Sequence, residues 1–543
     1  MTRPVSIAAF GLAAALAAPV QAETRPEVTV AVQQIVTSGM LDWARERSNV
    51  GARVLHSVYE ALIDFERQEA DLPMKPGLAT SWTQVDDRTV ELTLREGVLF
   101  HNGDVMTADD VVFSFSPERF GWLSEQEKAR EEGRETFTRA DGSTGVVPPA
   151  DVAAYARASW PLLDRVEKVD DMTVRFVSTT SDPTLIGRIS RSASAIVSPR
   201  ALEEAGSFTE HARMPVGTGP YKVVEFRNDN VLVLEPHDAW RGGEAPLSRL
   251  RFLMVPETAS RVNGLLSGEY DFITDIPPDQ IAVIERDSRF EVVGGPITNH
   301  RILVFDHNNG PMRDPRVRQA MVHAIDRELI VEALWGGRTR VPPGLQWEYY
   351  ADMFVEGWSA PEYDMAKARA LVEESDYAGE PIQFRVLNNY YANQVSTAQI
   401  VAESWRQIGL NIDMQMKENW QQILLPPEGR GVRDWSNSAP FPDPVSSIVN
   451  QHCQNGGQQT WGEWTNPEFN DLCTVLETTM DLETRQDAFA RMLEIAERED
   501  PAFTVLHQNA LFYGKRKDIE WMWSGLQSMD FGPDNFRLLT PAN

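Results

Sequence analysis

Residues 92–115 read LTLREGVLFHNGDVMTADDVVFSF, and the pattern within them decides which fold is expected for the rest of the chain. Apolar and polar residues alternate from 90 to 94, which is typical of a strand with one buried face. Turn-forming residues follow at 96–97 and 101–104. Thr107 then precedes a pair of aspartates, which predicts a helix with a threonine N-cap and acidic groups near its positive end.

The order of these residues resembles the signature of the family 5 extracellular solute-binding proteins, whose members usually read close to LRxGVxFHDGxPxTAxDVVFS. Two further segments resemble signatures of the same family: PVGTGPYKVVEF at 215–226 and DPRVRQAMVHAIDRELIVEALWGG at 314–337. We interpret His101 and Asp104 as residues that fix a turn. The glycines at 217–219 are expected to let two backbones approach closely, because the Lys-Ser/Thr pair of a phosphate loop does not follow them.

The resemblance implies an α/β fold, the large type of periplasmic binding protein fold. In that fold two lobes with parallel or mixed sheets enclose a cleft, and an extra smaller domain is added. A chain of 543 residues is also long enough for two or three lobes. We expect the hinge near Asn299 and Phe503. The expected parts are a signal peptide at 1–22, lobe I at 23–57, 192–298 and 504–543, extra domain II at 58–191, and lobe III at 299–503, which closes on the ligand.

The segment 117–160 is the part that the resemblance covers least. It contains a charged run, EQEKAREEGRE, and a loop-forming run, DGSTGVVPP. Neither run has clear apolar periodicity, so the segment is predicted to be an exposed insertion with one solvated helix. A surface for a protein partner is the alternative interpretation.

The formal net charge of −29 excludes two classes of partner. Nucleic acids and anionic lipids attract basic surfaces, so neither is expected to bind. At the N-terminus, Arg3 precedes an apolar run at 5–18, and Val20-Gln21-Ala22 is a small-x-small cleavage site. We therefore expect export to the periplasm with cleavage after Ala22. No cysteine stands near this site, so a lipid anchor is not expected.

The chain has two cysteines, Cys453 and Cys473. In an oxidising compartment two cysteines this close in sequence are expected to form a disulfide. A loop of this size would gain about 3 kcal/mol in the chain-entropy model. Two buried free thiols are the alternative. A zinc site is not expected, because no second cysteine pair or histidine cluster accompanies them.

The resemblance also implies where a ligand would bind. Dipeptide binders of this family hold the ligand's ammonium group with an aspartate shortly before an Asp-Pro pair, and its carboxylate with an arginine after a strand. Here Pro440 stands at the first position, before Asp443-Pro444, and Asn388 stands at the second. A free dipeptide would leave two buried charges unpaired, which is costly. Free dipeptides are therefore not expected to bind.

Amide, hydroxyl and aromatic groups stand where those charged anchors are missing. Such groups suit polyhydroxylated or amide-rich ligands, and an extended peptide held by its backbone also fits. The candidate solutes are an oligopeptide, an opine, a sugar derivative or a metal chelate. Adjacent tyrosines in a strand point to opposite faces, so one of the pair is expected to reach the cleft. Packing in the core is the alternative for these aromatic residues. The predicted binding set is Asn388, Asn389, Tyr390, Tyr391, Trp435, Ser436 and Asn437.

The function that the resemblance implies is solute capture for an ATP-driven (ABC) importer. We expect a monomer that has no cofactor and no catalysis and that delivers its solute to an inner-membrane permease. The alternative is an exported hydrolase acting on peptides or glycosides, but the chain has no GxSxG or HExxH motif. Direct metal binding is weakly supported, because His300 and His307 lack helical ligand spacing.

We predict that the mature protein begins at Glu23, because cleavage is expected after the small-x-small site at Ala22. N-terminal sequencing of protein recovered from the periplasm should read Glu-Thr-Arg-Pro. Recovery of the full-length chain from the cytoplasm would contradict this prediction.

Overall fold

The computed structural model of this chain describes residues 25–69, 71–191, 194–388 and 390–539. The predicted signal peptide and its cleavage site lie outside these described residues. No helix within them is both long enough and apolar enough to cross a membrane.

The described residues form short helices and several sheets. The strands are β1 Glu27–Val32, β2 Ile63–Phe65, β3 Met74–Pro76, β4 Ala79–Asp86, β5 Thr89–Leu94, β6 Thr136–Thr138, β7 Thr144–Val146, β8 Leu163–Asp170, β9 Thr173–Ser178, β10 Tyr221–Arg227, β11 Val231–Pro236, β12 Arg249–Met254, β13 Phe272–Ile273, β14 Phe290–Phe305, β15 Ile382–Leu387, β16 Ile412–Lys417, β17 Arg430–Ser438, β18 Phe503–Arg516, β19 Ile519–Trp521 and β20 Phe536–Leu538. The helices are α1 Asn49–Leu55, α2 Ala108–Ser114, α3 Ser124–Glu131, α4 Ala150–Ser159, α5 Leu185–Ser190, α6 Pro199–Ala205, α7 Phe208–Arg213, α8 Thr258–Ser267, α9 Pro278–Glu285, α10 Pro315–His323, α11 Arg327–Trp335, α12 Met365–Glu374, α13 Gln394–Gln407, α14 Trp420–Leu424, α15 Ile448–His452, α16 Gly457–Thr460, α17 Pro467–Thr478 and α18 Leu482–Glu494.

One ten-stranded mixed sheet runs through the molecule in the order β10-β11-β12-β1-β13-β18-β14-β17-β15-β16. Its first half-sheet is β10 to β13 with β1, and its second half-sheet is β15 to β17. The long strands β14 and β18 pair with each other antiparallel and join the two halves. The expected hinge position Asn299 lies in β14, and Phe503 is the first residue of β18.

Each half-sheet contains the parallel crossover that the sequence predicts. Strands β12 and β13, joined through α8, both pair parallel to β1. Strands β15 and β16, joined through α13, pair parallel to each other. Helices α10 and α11, which the third signature predicts, pack on the second half-sheet through a buried cluster that includes Met321 and Trp405.

A separate four-stranded sheet in the order β4-β5-β9-β8 lies within the segment expected to form the extra domain; this sheet and the helices packed on it are here called the four-stranded unit. The stretch at 92–115 folds as its pattern predicts, with β5 followed by turns and α2. The carboxylate of Asp110 accepts hydrogen bonds from both the backbone N–H (2.7 Å) and the hydroxyl (2.9 Å) of Thr107. This pair of bonds fixes the first turn of α2.

His101 of the first signature, 92–115, contacts the second signature, 215–226, directly. The N–H of Gly217 donates to Nδ1 of His101 at 3.2 Å, and Nε2 of His101 lies 3.1 Å from the carbonyl oxygen of Gly219. Because Nδ1 accepts, Nε2 carries the proton and donates, so the ring is neutral. Burial lowers the pKa of His101 to about 3, consistent with that state. His101 therefore joins two segments of chain, the structural role that the sequence assigns to it.

The expected close approach at 217–219 is present. A Cβ at Gly217 would overlap the carbonyl oxygen of Val58, and a Cβ at Gly219 would lie 2.6 Å from the carbonyl oxygen of Ser57. These glycines are needed because no side chain fits between the two backbones.

Two sequence expectations were wrong. Helix α3 in the segment 117–160 is largely exposed as predicted, but α4 carries Asp151, Ala154, Tyr155 and Ala158 into a cleft wall. The segment 434–444 before and at Asp443-Pro444, which the resemblance implies is a loop, begins instead as part of strand β17, which pairs antiparallel with β14 and parallel with β15. Sequence alternation missed β17 because both of its faces are covered, so polar and charged residues in it are buried in pairs.

Cys453 and Cys473 form a disulfide in this structure. The bond connects the residue after α15 to α17, next to the wall of the cleft described below. Both cysteines belong to a buried cluster with Phe469 and Leu476.

We predict that Gly217→Ala destabilises the protein, because the added methyl group meets a backbone carbonyl that cannot rotate away. Overpacking of this kind costs about 1–3 kcal/mol of unfolding free energy. Gly525→Ala is the matched control, since no atom lies within 4 Å of a Cβ there. Thermal melts of the two variants should separate them, and equal melting temperatures would contradict the close-approach argument.

Candidate ligand-binding site

A cavity of about 760 Å³ lies between the two half-sheets and the four-stranded unit. This volume is within the range of small-molecule sites. Its walls come from the segment around α1, from the helices α4 and α5 of the four-stranded unit, and from the second half-sheet side, where the turn after β15, α14, the end of β17 and the segment 440–461 contribute. Thr298, Leu526 and Gln527 complete the lining. The cleft therefore brings together residues more than 300 positions apart.

Five rings on the second half-sheet side form the aromatic cluster of the cleft, namely Tyr390, Tyr391, Trp420, Trp435 and Trp461. Successive rings meet edge to face: the ring centroids of Tyr390 and Trp420 lie 4.9 Å apart, and those of Trp420 and Trp435 lie 4.5 Å apart. Trp435 in turn lies 5.7 Å from Trp461. Edge-to-face contacts of this kind hold aromatic rings in defined orientations.

Two buried arginines support the aromatic cluster from behind. The guanidinium of Arg433 lies 4.3 Å from the ring of Trp435, and that of Arg301 lies 3.6 Å from the ring of Tyr391. Each arginine is also ion-paired: Arg433 contacts both oxygens of Glu463, at 2.6 and 2.8 Å, and Arg301 contacts Asp434. The rings thus cover charges that are already neutralised.

The polar residues of β17 also line the cleft. The hydroxyl of Tyr391 donates to Oγ of Ser436 at 2.7 Å, and Ser436 accepts a second bond from Nδ2 of Asn299 at 3.1 Å. Nδ2 of Asn437 lies 3.2 Å from Nε2 of His452. Burial lowers the pKa of His452 to about 3, so its neutral ring can accept this bond. These side chains are held in place by the protein itself.

The structure brings most residues of the predicted binding set together at the cleft. Tyr390, Tyr391, Trp435, Ser436 and Asn437 all line the cleft. Asn388 does not: it is exposed, outside the lining, and its N–H donates to the carbonyl of Lys417 at 3.3 Å. Asn389 lies outside the described residues.

The expectation that one tyrosine of the pair reaches the cleft was wrong, because both do. Strand β15 ends at Leu387, so Tyr390 and Tyr391 lie in the following turn rather than in a strand. There Oε1 of Gln394 accepts the N–H groups of Tyr390 (3.0 Å) and Tyr391 (3.1 Å). The turn places both rings on the same side.

Charged residues on the opposite wall were missed by the sequence analysis. Arg47 lies 4.0 Å from the ring centre of Tyr155, and Nη2 of Arg191 donates to the hydroxyl of Tyr155 at 2.5 Å. Burial alone would raise the pKa of Tyr155, but the two guanidiniums outweigh burial and lower it. Nearby, Arg45 pairs with Asp151 at 2.6 Å. No local motif marks these residues, because they come from three separate segments.

Contacts around the cleft bridge its walls. Nε2 of Gln33 donates to the carbonyl oxygen of Tyr390 at 2.8 Å, which links the first half-sheet side to the second. Arg188 of α5 pairs with Glu477 of α17 at 3.1 Å, which links the four-stranded unit to the second half-sheet side. The walls are therefore in contact on both sides of the cavity in this conformation.

Comparison with known families identifies the chain. The model of the bacterial extracellular solute-binding proteins, family 5, matches residues 73–457. The chain belongs to this family. Within the described residues no group of His, Cys, Asp or Glu side chains has the arrangement of a metal site.

Relatives of this family 5 protein are similar over most of their length. Heme-binding protein A of Haemophilus influenzae is 26% identical over 472 residues, covering 83% of this chain and 81% of the relative. The dipeptide-binding protein of Escherichia coli is 23% identical over 490 residues, covering 85% of this chain and 86% of the relative. The periplasmic binding protein DppA of Helicobacter pylori, solved with the peptide STSA, superposes with a TM-score of 0.79 at 19% identity, covering 95% of this chain and 98% of that one.

The comparisons confirm the family, the α/β fold of periplasmic binding proteins and the solute-binding role. The hydrolase alternative is not supported, since the family and its relatives are binding proteins.

We predict that Trp435→Ala abolishes solute binding while changing the melting temperature of the unliganded protein little, because Trp435 lines the cleft and joins the rings of Trp420 and Trp461. The matched control is Trp358→Ala: that ring also lies on an arginine, 3.8 Å from Arg498, but outside the cleft. The measurement is the thermal shift produced by a solute that binds the wild type. If Trp435→Ala unfolds the protein, Trp435 is a core residue and the site assignment fails.

Proposed function

We propose that this family 5 protein is exported to the periplasm, captures a small polar solute in the cleft and delivers it to an inner-membrane ABC permease. The observation that carries the proposal is the cavity of about 760 Å³, lined by distant segments of the chain and with a prearranged aromatic cluster on one wall. Prearranged rings favour binding because little side-chain freedom remains to be lost.

The proposed binding motion is a hinge closure between lobe I, built on the first half-sheet, and lobe III, built on the second. Lobes that share two strands can rotate about them and exclude water from the solute. The bond from Gln33 to Tyr390 and the ion pair of Arg188 with Glu477 are features of the closed form. Both contacts would break when the cleft opens.

The proposed solute is peptide-like or another small polar compound held mainly by the aromatic cluster, Ser436 and Asn437. Relatives are named for heme and for dipeptides, so the family fold accepts very different ligands. A free dipeptide is not proposed for this chain, because the described cleft offers Pro440 where dipeptide binders present an aspartate. The hydroxyl and amide groups of the site suit amide-rich or hydroxylated ligands.

We predict a thermal shift with at least one compound in a panel of longer peptides, sugars, opines and nickel chelates, and no shift with free dipeptides. Binding to the folded state alone stabilises it by about 2.7 kcal/mol at one hundred times the dissociation constant. Fluorescence of Trp420, Trp435 and Trp461 should report the same saturation, because all three rings line the cleft.

The control for this experiment is Gln33→Ala, which removes one bridging hydrogen bond without touching the aromatic cluster. It should weaken binding by a small factor and leave the order of preference among compounds unchanged. Micromolar binding of free dipeptides would contradict the proposed site.

A further inference from the structure

Arg191 is a buried cation without a carboxylate. Its side chain lines the cleft, and the residue is 7% exposed. Among the described residues no carboxylate lies within 4 Å of its guanidinium, and the one hydrogen bond it donates goes to Tyr155. Its Nε, although buried, has no acceptor. Buried arginines ordinarily pair with an acid, because removing an unpaired charge from water is costly.

Arg47 supplies a second cation at the same place. It is exposed in the cleft, makes no ion pair within the described ranges, and its guanidinium lies 4.0 Å from the centre of the Tyr155 ring. Since Arg191 donates to the oxygen of Tyr155, the hydroxyl proton remains free to point into the cleft. Two guanidiniums therefore lie beside the same tyrosine, whose hydroxyl is a third donor.

The other charged residues of the cleft are already matched. Arg45 pairs with Asp151 at 2.6 Å, Arg67 pairs with Asp64, and Glu60 pairs with Arg241 at 2.6 Å. The buried carboxylate of Glu46 accepts backbone N–H bonds from Thr37, Ser38 and Ser48. The unmatched charge of the cleft is therefore positive and is concentrated at Arg47 and Arg191.

We propose that the solute carries an oxyanion, a carboxylate or a phosphate, and that this group binds between Arg47 and Arg191 beside the hydroxyl of Tyr155. This inference rests on the proposed solute-binding function and narrows the class of solute. Guanidinium groups present several N–H donors in a fixed plane, which matches the oxygens of both groups. The uncharged remainder of the solute then faces the aromatic cluster on the opposite wall.

This subsite depends on the segment 117–160, because α4 supplies Tyr155. Arg47 comes from the turn before α1, and Arg191 follows α5. None of the subsite's three residues stands at Asn388 or Pro440, the positions where dipeptide binders have their charged anchors.

The test uses acetate and phosphate as probes, each compared with chloride at the same pH and ionic strength. At about ten times the dissociation constant of a probe, the wild-type melting temperature should rise by about 1–2 °C. Arg47→Gln and Arg191→Gln should each remove the rise. Arg165→Gln is the matched control, since it removes the same charge from an exposed site outside the cleft and should keep the rise.

The outcomes separate this inference from the proposed function. A larger rise with acetate assigns a carboxylate, and a larger rise with phosphate assigns a phosphate. No rise above chloride in the wild type, or a rise that Arg47→Gln retains, overturns the inference. Because Arg47 is exposed, its variant remains informative even if Arg191→Gln fails to fold. A wild type that binds neutral solutes and ignores both probes overturns the inference while the proposed function stands.

Discussion

The pairing of β14 with β18 is the constraint on which the rest of the structure depends. These strands are antiparallel, and their pairing runs from Phe290 opposite Arg516 to Val304 opposite Phe503. Both half-sheets are therefore joined to the same pair of strands. The ladder shifts register at two places: a longer interruption between Pro296 and His300, and a second irregularity between Arg301 and Ile302. A continuous ladder would lock the halves together, whereas an interrupted one leaves a place where the backbone can bend.

The backbone polar groups at the Pro296–His300 interruption still have hydrogen-bond partners. Nε2 of Gln508 donates to the carbonyl of Ile297 at 2.8 Å, and the N–H of Thr298 donates to the carbonyl of Gly525 at 2.9 Å. Side chains and a neighbouring loop therefore replace the missing ladder bonds, as buried backbone groups require. Asn299, which lies within this interruption, donates to Ser436 at the cleft, so the proposed hinge is connected to the site.

The aromatic cluster depends on the same region of the sheet. Arg301 of β14 and Arg433 of β17 lie beneath its rings, and each is balanced by a buried acid. Burial raises the pKa of Asp434 to about 6, and the neighbouring Arg301 limits the rise. Removing either partner of such a pair would leave an uncompensated buried charge, which is strongly destabilising. The ion pairs therefore hold this wall of the cleft in place.

Much of the fold could be predicted from the sequence, since strand alternation, caps and glycine signatures are local. The capped helix after Thr107, the glycine contacts of Gly217 and both parallel crossovers follow from short patterns. The site was predicted only where the family offers a landmark: Tyr391 and Trp435 were found beside the dipeptide anchors. Trp420 and Arg191 were missed, because nothing local to either residue tells which distant segment it will face.

The segment 117–160 begins and ends at neighbouring points of the four-stranded unit. Phe115 just before it and Trp160 at its end pack ring against ring, with centroids 5.2 Å apart. The segment is therefore an insertion at one place in the four-stranded unit. Its helix α4 forms part of the cleft wall but is not part of the ten-stranded sheet. If the proposed hinge is correct, replacing this insertion can change which solute is accepted without altering the hinge strands, so selectivity and motion can evolve separately.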